Sequence, residues 1–318
     1  MNKGNTMGKL AYVFPGQGSQ SVGMLLDLAT EQVLIKETFA EASEELGYDL
    51  WQLVQSGPDD KLNQTEFTQP ALLSASVAIW RVAMALGASR PEMVAGHSLG
   101  EYSALVAAES LQFADAVKLV QQRGRFMQTA VPLGQGGMAA VLGLEDDVVR
   151  DVCAKCSAGS ELVQAANYNA PGQVVIAGSN AALERAIEAL KAAGAKRAMP
   201  LAVSAPFHSE LMKPAAEKMA EVLAEVTIGS PSIQILQNVD AAYHSSPDAI
   251  RANLVTQMYS AVLWTETTQR LAADGVTTIV ECGPGKVLTG LNKRIDKSIG
   301  GHVINSVESL ASTLESLG

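Results

Sequence analysis

Cysteine and histidine are scarce in this chain, and positive charge is in deficit. Three cysteines in 318 residues exclude a disulfide framework and fit a reducing compartment. Cys153 and Cys156 form a C-x-x-C, but inside D-D-V-V-R-D-V-C-A-K-C, which reads as a helix. A structural zinc site wants about four nitrogen or sulfur ligands, and Cys282 is the one other thiol, so no metal is expected. Four histidines leave a histidine-dependent mechanism few candidates. No apolar run is as long as a membrane span, and Met1 to Lys9 lacks the apolar core of a signal peptide. Those residues read as a loose lead-in, with Met7 an alternative start. Lysine and arginine number 23 against 33 acidic residues, a net charge of −10. That balance argues against nucleic acid as a partner and for a cytoplasmic protein. What is abundant is apolar side chain: at 47% of the chain it predicts a large core with room for a smaller subdomain.

The most informative stretch is M-V-A-G-H-S-L-G-E-Y-S-A-L-V-A-A, Met93 to Ala108. Met93 to Ala95 read as the end of a buried strand and Ala104 to Ala108 as a helix, with Glu101 in its favourable first turn. Gly96-His97-Ser98-Leu99-Gly100 between them has the G-x-S-x-G spacing. Its glycines permit a turn too sharp for side chains, which lifts the Ser98 hydroxyl beside a helix N-terminus as a nucleophile.

Leu10 to Phe14 reads as a buried strand running into P-G-Q-G-S-Q. The frame set by Gly16 and Gly18 would need glycine at 21 for a dinucleotide loop, and Ser21 stands there. What remains is a loop whose backbone N–H groups can face a ligand. Val33 to Leu46 reads as a helix ending at Gly47, and Pro70 as the opening of a helix through Leu86, with Thr68 or Gln69 near its cap. A further helix, about Ala114 to Ala130, carries Arg123 and Arg125, which read either as a solvated face or as a guanidinium near the site, suited to gripping a planar carboxylate.

After the linker Val131 to Gly137 the order becomes strand 138–142, helix 146–156, strand 162–166, the turn N-Y-N-A-P-G, strand 173–177, helix 181–193 and strand 197–201. This is βαββαβ, the ferredoxin-like order, with Asn180 as cap of the second helix and Gly194 at its end. The fold expected is therefore α/β. A large α/β-hydrolase-like subdomain with a parallel-sheet core spans 1–131 and 205–318, and a ferredoxin-like small subdomain, 132–204, is inserted in it. His208 in S-A-P-F-H-S precedes a long helix, Glu210 to Val226. His97 adjoins Ser98 on a tight turn, His244 lies in a polar loop and His302 near the C-terminus, so His208 is the best general base by elimination, with a helix-capping or buried structural histidine as the alternative. E-C-G-P-G-K, after the strand Thr277 to Val280, lacks phosphate-loop spacing and reads as a strand-to-helix turn.

Together F-P-G-Q-G-S-Q, T-Q-P-A-L, A-G-H-S-L-G-E-Y-S-A-L, Q-R-G-R-F-M, N-A-P-G-Q-V-V-I-A-G, P-F-H-S-E-L-M and E-C-G-P-G-K-V-L-T-G-L closely resemble the malonyl-CoA:acyl carrier protein transacylases of bacterial type II fatty acid synthesis. The resemblance runs from about Leu10 to Arg294, with the motifs in the family's order. It implies transfer of malonyl from malonyl-CoA to the phosphopantetheine thiol of acyl carrier protein, through a malonyl-serine on Ser98, with His208 as base and no bound cofactor. By the same resemblance the carbonyl of Gln257 orients His208, the N–H groups of Gln17 and Leu99 form the oxyanion hole, Arg123 pairs with the malonyl carboxylate and His97 lines the pocket. Phe207 stands where related modular synthase domains carry phenylalanine for malonyl and serine for methylmalonyl. Docking of an acidic carrier protein on an acidic enzyme needs a local basic patch, for which Lys196 and Arg197 are expected, with Lys286 and Lys293 as alternatives. Two other readings use the same features: a serine thioesterase or hydrolase, in which water accepts the acyl group, and a carrier-binding module without catalysis.

Overall fold

The computed structural model describes residues 8–317 except 133 and 204. The expectations placed on Met1 to Met7, and the small-subdomain edge at 204, fall outside the described residues. Nine strands among the described residues make two sheets. The first contains β1 (Lys9–Phe14), β2 (Met93–Gly96), β7 (Gln234–Leu236), β8 (Val276–Cys282) and β9 (Gly300–Ile304), in the order β7-β2-β1-β8-β9, every pair parallel. Parallel strands need both faces covered, and β1 at the centre shows it. Tyr12 and Phe14 enter one hydrophobic cluster, Ala11 and Val13 the other. Trp80 stands edge-on to Tyr12, ring centroids 5.3 Å apart.

The second sheet contains β3 (Gly136–Leu142), β4 (Val163–Ala170), β5 (Gln173–Ser179) and β6 (Arg197–Pro200), in the order β4-β5-β3-β6, all antiparallel. Taken within this segment, that is fourth, first, third, second strand read from the β6 edge, the ferredoxin-like order. Helices Asp146–Cys156 and Asn180–Ala192 cover one face, where Val174 and Ile176 of β5 join Cys153 in a separate core. Alternation sends Val175 and Ala177 the other way, into the main core.

Several local expectations need correction. Pro70 does not open its helix: the helix runs Thr65–Ala85 with Pro70 inside. Tertiary packing outweighs the proline, because Gly124 of the Phe113–Thr129 helix lets the two helices cross so closely that a Cβ there would lie 2.6 Å from the Thr65 carbonyl oxygen. Thr68 Oγ1 also donates to the carbonyls of Leu62, at 2.6 Å, and Gln64, at 3.0 Å. N-Y-N-A is not a turn but the end of β4, irregular in register, where the strand also pairs with Val262. Asn180 is the first helical residue rather than the cap, and its side-chain amide donates to the Gly134 carbonyl. The helix expected at Glu210 begins as a 3₁₀ turn, Glu210–Met212, before Lys213–Ala224. Among the described residues, no helix is long and apolar enough to cross a membrane.

Candidate active site

The turn after β2 depends on two close approaches. A Cβ on Gly96 would lie 1.9 Å from the Gly100 carbonyl carbon, and one on Gly100 would lie 2.0 Å from the Phe14 carbonyl oxygen. Only glycine fits either position. Ser98 between them has φ +52°, a left-handed conformation that is costly for a side-chain-bearing residue. The strain has one effect visible in the structure: it presents the hydroxyl to a cavity of about 620 Å³ at the C-terminal ends of the parallel strands. The helix Gly100–Ala107 begins immediately afterwards.

His208, 3% exposed and also left-handed at φ +59°, reaches the same point from the segment that precedes the 3₁₀ turn Glu210–Met212. Its Nε2 is 2.7 Å from Ser98 Oγ and its Nδ1 is 2.8 Å from the Gln257 carbonyl oxygen. A carbonyl can only accept, so Nδ1 carries the proton and Nε2 is free to take the serine proton. Burial, the charge of Arg123 and, more weakly, His97 push the His208 pKa down to about 3, against the opposing bond to Gln257. The imidazole is therefore neutral at physiological pH.

Arg123 is 1% exposed and has no carboxylate in contact among the described residues. Nη1 donates to Gln69 Oε1 at 2.9 Å, and Nη2 donates to Gln257 Oε1 at 2.8 Å and to Ser98 Oγ at 3.2 Å, while Nε is buried without a partner. A guanidinium whose direct partners are neutral amides and a hydroxyl is left free to pair with an incoming anion, with Glu101 acting on it only across Gln257. Its burial depends on the helix crossing at Gly124, which carries Arg123 up to Gln69. Arg125, by contrast, faces outward to an ion pair with Glu66.

The remaining expected residues divide into those near the cavity and those away from it. Gln17, Leu99, His97 and Phe207 line it. The N–H groups of Gln17 and Leu99 have no protein acceptor among the described residues. His97 Nε2 lies 2.8 Å from Asn169 Oδ1 on β4, joining the two sheets across the cavity. Lys196 and Arg197 are exposed on the outer edge and do not line it; Lys286, also exposed, stands at the N-terminus of the Val287–Ile295 helix, and Val287 does line it.

Sequence reasoning gave no role to Asn169 or Asn238, placed Gln69 near a helix cap where it lies inside the helix and accepts from Arg123, and read Glu101 as a residue facing the helix dipole. Glu101 is instead fully buried, accepting from Gln237 Nε2 at 2.9 Å, the Asn238 N–H at 2.8 Å and Gln257 Nε2 at 3.1 Å. Burial raises its pKa to about 7 against those bonds and the Arg123 charge. One signal for Asn238 was present: it follows the end of a buried parallel strand, where sites in such sheets gather.

Residues 11–311 match the acyl transferase domain model. The malonyl CoA-acyl carrier protein transacylase of Escherichia coli (strain K12) is 54% identical over 97% of this chain and 100% of its own length. The crystal structure of an acyl carrier protein S-malonyltransferase from Vibrio cholerae is 56% identical, with a TM-score of 0.94 over 96% of this chain and 99% of its own. A malonyl-transacylase in complex with its type II PKS acyl-carrier protein is 52% identical, with a TM-score of 0.95 over 97% and 99%.

Proposed function

Since the chain belongs to the acyl transferase family, among its malonyl-CoA–acyl carrier protein transacylases, we propose that it carries malonyl from CoA to the phosphopantetheine thiol of an acyl carrier protein in two half-reactions through an ester on Ser98. The observation that carries the reading is one atom with two neighbours. Ser98 Oγ lies 2.7 Å from a neutral imidazole nitrogen and 3.2 Å from a buried guanidinium nitrogen. The first activates a nucleophile and the second selects an acyl group that ends in a carboxylate.

In the first half-reaction Ser98 Oγ bonds to the thioester carbonyl carbon as its proton passes to His208 Nε2. The carbonyl oxygen becomes an oxyanion, for which the unpartnered N–H groups of Gln17 and Leu99 are the available donors. The C–S bond then breaks, and the CoA sulfur leaves with the proton from His208. In the second half-reaction the carrier thiol gives its proton to His208 and attacks the ester, and Ser98 Oγ leaves and recovers the proton. The Gln257 carbonyl holds Nδ1–H throughout, doing for the imidazole what an acidic third residue does elsewhere. Phe207 against the cavity supports malonyl over an α-branched acyl group. Lys196 and Arg197 remain the proposed contact for the carrier protein, with Lys286 and Lys293 as alternatives, and the net charge of −10 and three cysteines support a cytoplasmic setting.

The test is malonyl transfer from malonyl-CoA to holo carrier protein, with the intact mass of the enzyme recorded after malonyl-CoA alone. The expected result is one malonyl adduct on the wild type, none on Ser98→Ala, and transfer only with the former. Steady release of malonate without carrier protein would instead make the enzyme a thioesterase, and absence of an adduct would rule out the ester.

A further inference from the structure

Both peptide groups that flank Ser98 are held by side-chain amides from elsewhere in the fold. Asn238, in the loop after β7, accepts from the Ser98 N–H through Oδ1 at 2.7 Å and donates through Nδ2 to the Gly96 carbonyl at 2.6 Å. One planar amide thus spans the turn Gly96-His97-Ser98, bonded to the chain entering it and to the nucleophile leaving it. On the far side Gln257 Nε2 donates to the Ser98 carbonyl at 3.1 Å. That carbonyl belongs to the same peptide plane as the Leu99 N–H, so the bonds that hold Ser98 also aim the proposed oxyanion donor.

Asn238 is itself held in orientation. Its N–H donates to Glu101 Oε2 at 2.8 Å, and its carbonyl accepts from the Leu263 N–H at 3.1 Å. It is fully buried and does not line the cavity, so it does not touch a substrate there. A left-handed serine has to be kept in place by its surroundings, and this amide is the group whose two bonds fit only that arrangement.

We infer that Asn238, anchored on Glu101, is a positioning residue for acyl transfer: it locks the Ser98 turn so that the hydroxyl meets His208 and the Leu99 N–H meets the oxyanion. The inference rests on Ser98 being the nucleophile. It calls for an effect on kcat with little on KM, because the geometry it secures matters most in the transition state.

Two variants test it. Asn238→Leu removes both bonds. Asn238→Asp keeps the acceptor for the Ser98 N–H but, when ionised, turns an oxygen against the Gly96 carbonyl. When protonated, an aspartic acid at 238 restores a donor to Gly96 and an acceptor for Ser98, in the wild-type pattern. The charged and titratable groups around it are Glu101, raised to about 7 by burial and so charged at the higher pH and largely neutral at the lower, and Arg123 and His208 beyond Ser98; burial at 238 itself favours the protonated form, and each variant is read as a ratio to the wild type at the same pH. At about pH 8 both variants should lose at least about tenfold in kcat, with malonyl-CoA KM within about threefold of wild type. At about pH 5.5 the Asp variant should recover most of its loss and the Leu variant none. Wild-type kcat in both variants, a loss confined to KM, or an Asp variant that stays equally poor across that range would each overturn the inference. Ser98→Ala run alongside separates the failures: if it transfers malonyl, the assignment of the nucleophile falls first and this inference with it.

Discussion

Arg123 Nη2 stands 3.2 Å from Ser98 Oγ, so the group proposed to select the substrate touches the proposed nucleophile. An arriving carboxylate competes for that guanidinium. In forming its own bonds with Arg123 it offsets the positive charge that holds down the basicity of His208, which makes the imidazole a better acceptor of the serine proton. Recognition and activation are thereby linked through one guanidinium.

Discrimination between malonyl-CoA and acetyl-CoA should depend on that residue. Removing one member of a buried charge pair costs about 2 to 5 kcal/mol, roughly 30-fold to several thousand-fold. Arg123→Ala should lose malonyl kcat/KM by a factor in that range and leave acetyl kcat/KM much less changed. Competition assays measure it directly, and a variant that kept the wild-type preference would remove Arg123 from this role.

The acid limb of kcat/KM should lie below the ordinary histidine value. Burial and the Arg123 charge disfavour the imidazolium of His208 and hold its pKa near about 3. The free enzyme therefore keeps its base neutral well below pH 6.5. A bound carboxylate offsets the Arg123 charge, so the limb seen in kcat should sit at higher pH than the limb in kcat/KM. A pH-rate series gives both, and coincident limbs at or above the ordinary value would contradict the electrostatics described for His208.

Glu101 predicts the opposite sign for stability. Its folded pKa, raised to about 7, exceeds the ordinary 4.5 of the unfolded chain, so between those values the folded state binds more protons. Its contribution is full below the unfolded value and is lost as pH rises through the folded one, by up to about 3 kcal/mol. Replacing it with glutamine should flatten that loss between about pH 4.5 and 7. Thermal midpoints of the wild type and Glu101→Gln across that range are the measurement, and parallel curves would show that Glu101 is not what titrates.

If Lys196 and Arg197 form the proposed docking contact, carrier docking should be separable from the proposed chemistry at Ser98. Charge reversal at Lys196 and Arg197, both exposed and away from the cavity, should raise the carrier-protein KM and leave acylation by malonyl-CoA intact. Unchanged kinetics would direct attention to Lys286 and Lys293.

What the sequence revealed, and what it concealed, follows the distance over which each feature is determined. The Ser98 turn was legible because two glycines, a strand end and a helix start all fall within eight residues. His208 was legible because four histidines left few choices, and the ferredoxin-like unit because its hydrophobic alternation is local. Pro70 misled, since what continues its helix is a glycine 54 positions on, at 124. β4 was cut short because N-Y-N-A has turn composition, and its extension is held by pairing with Val262. Glu101 looked like a helix-start acid, and its bonds are to residues up to 156 positions away. Buried amide networks leave no periodic trace, because their donors and acceptors are ordinary loop residues until the fold brings them together.

The alternation along β5 has a consequence for how this enzyme can change. Val174 and Ile176 close the small sheet's own core, whereas Val175, with Met138 of β3, faces the cavity. One wall of the acyl chamber therefore stands on a sheet whose internal packing uses different side chains. Chamber width can be altered from that wall while the strained serine turn, the imidazole and the guanidinium stay on the parallel-sheet side, so new acyl preferences are open to this scaffold without rebuilding its chemistry.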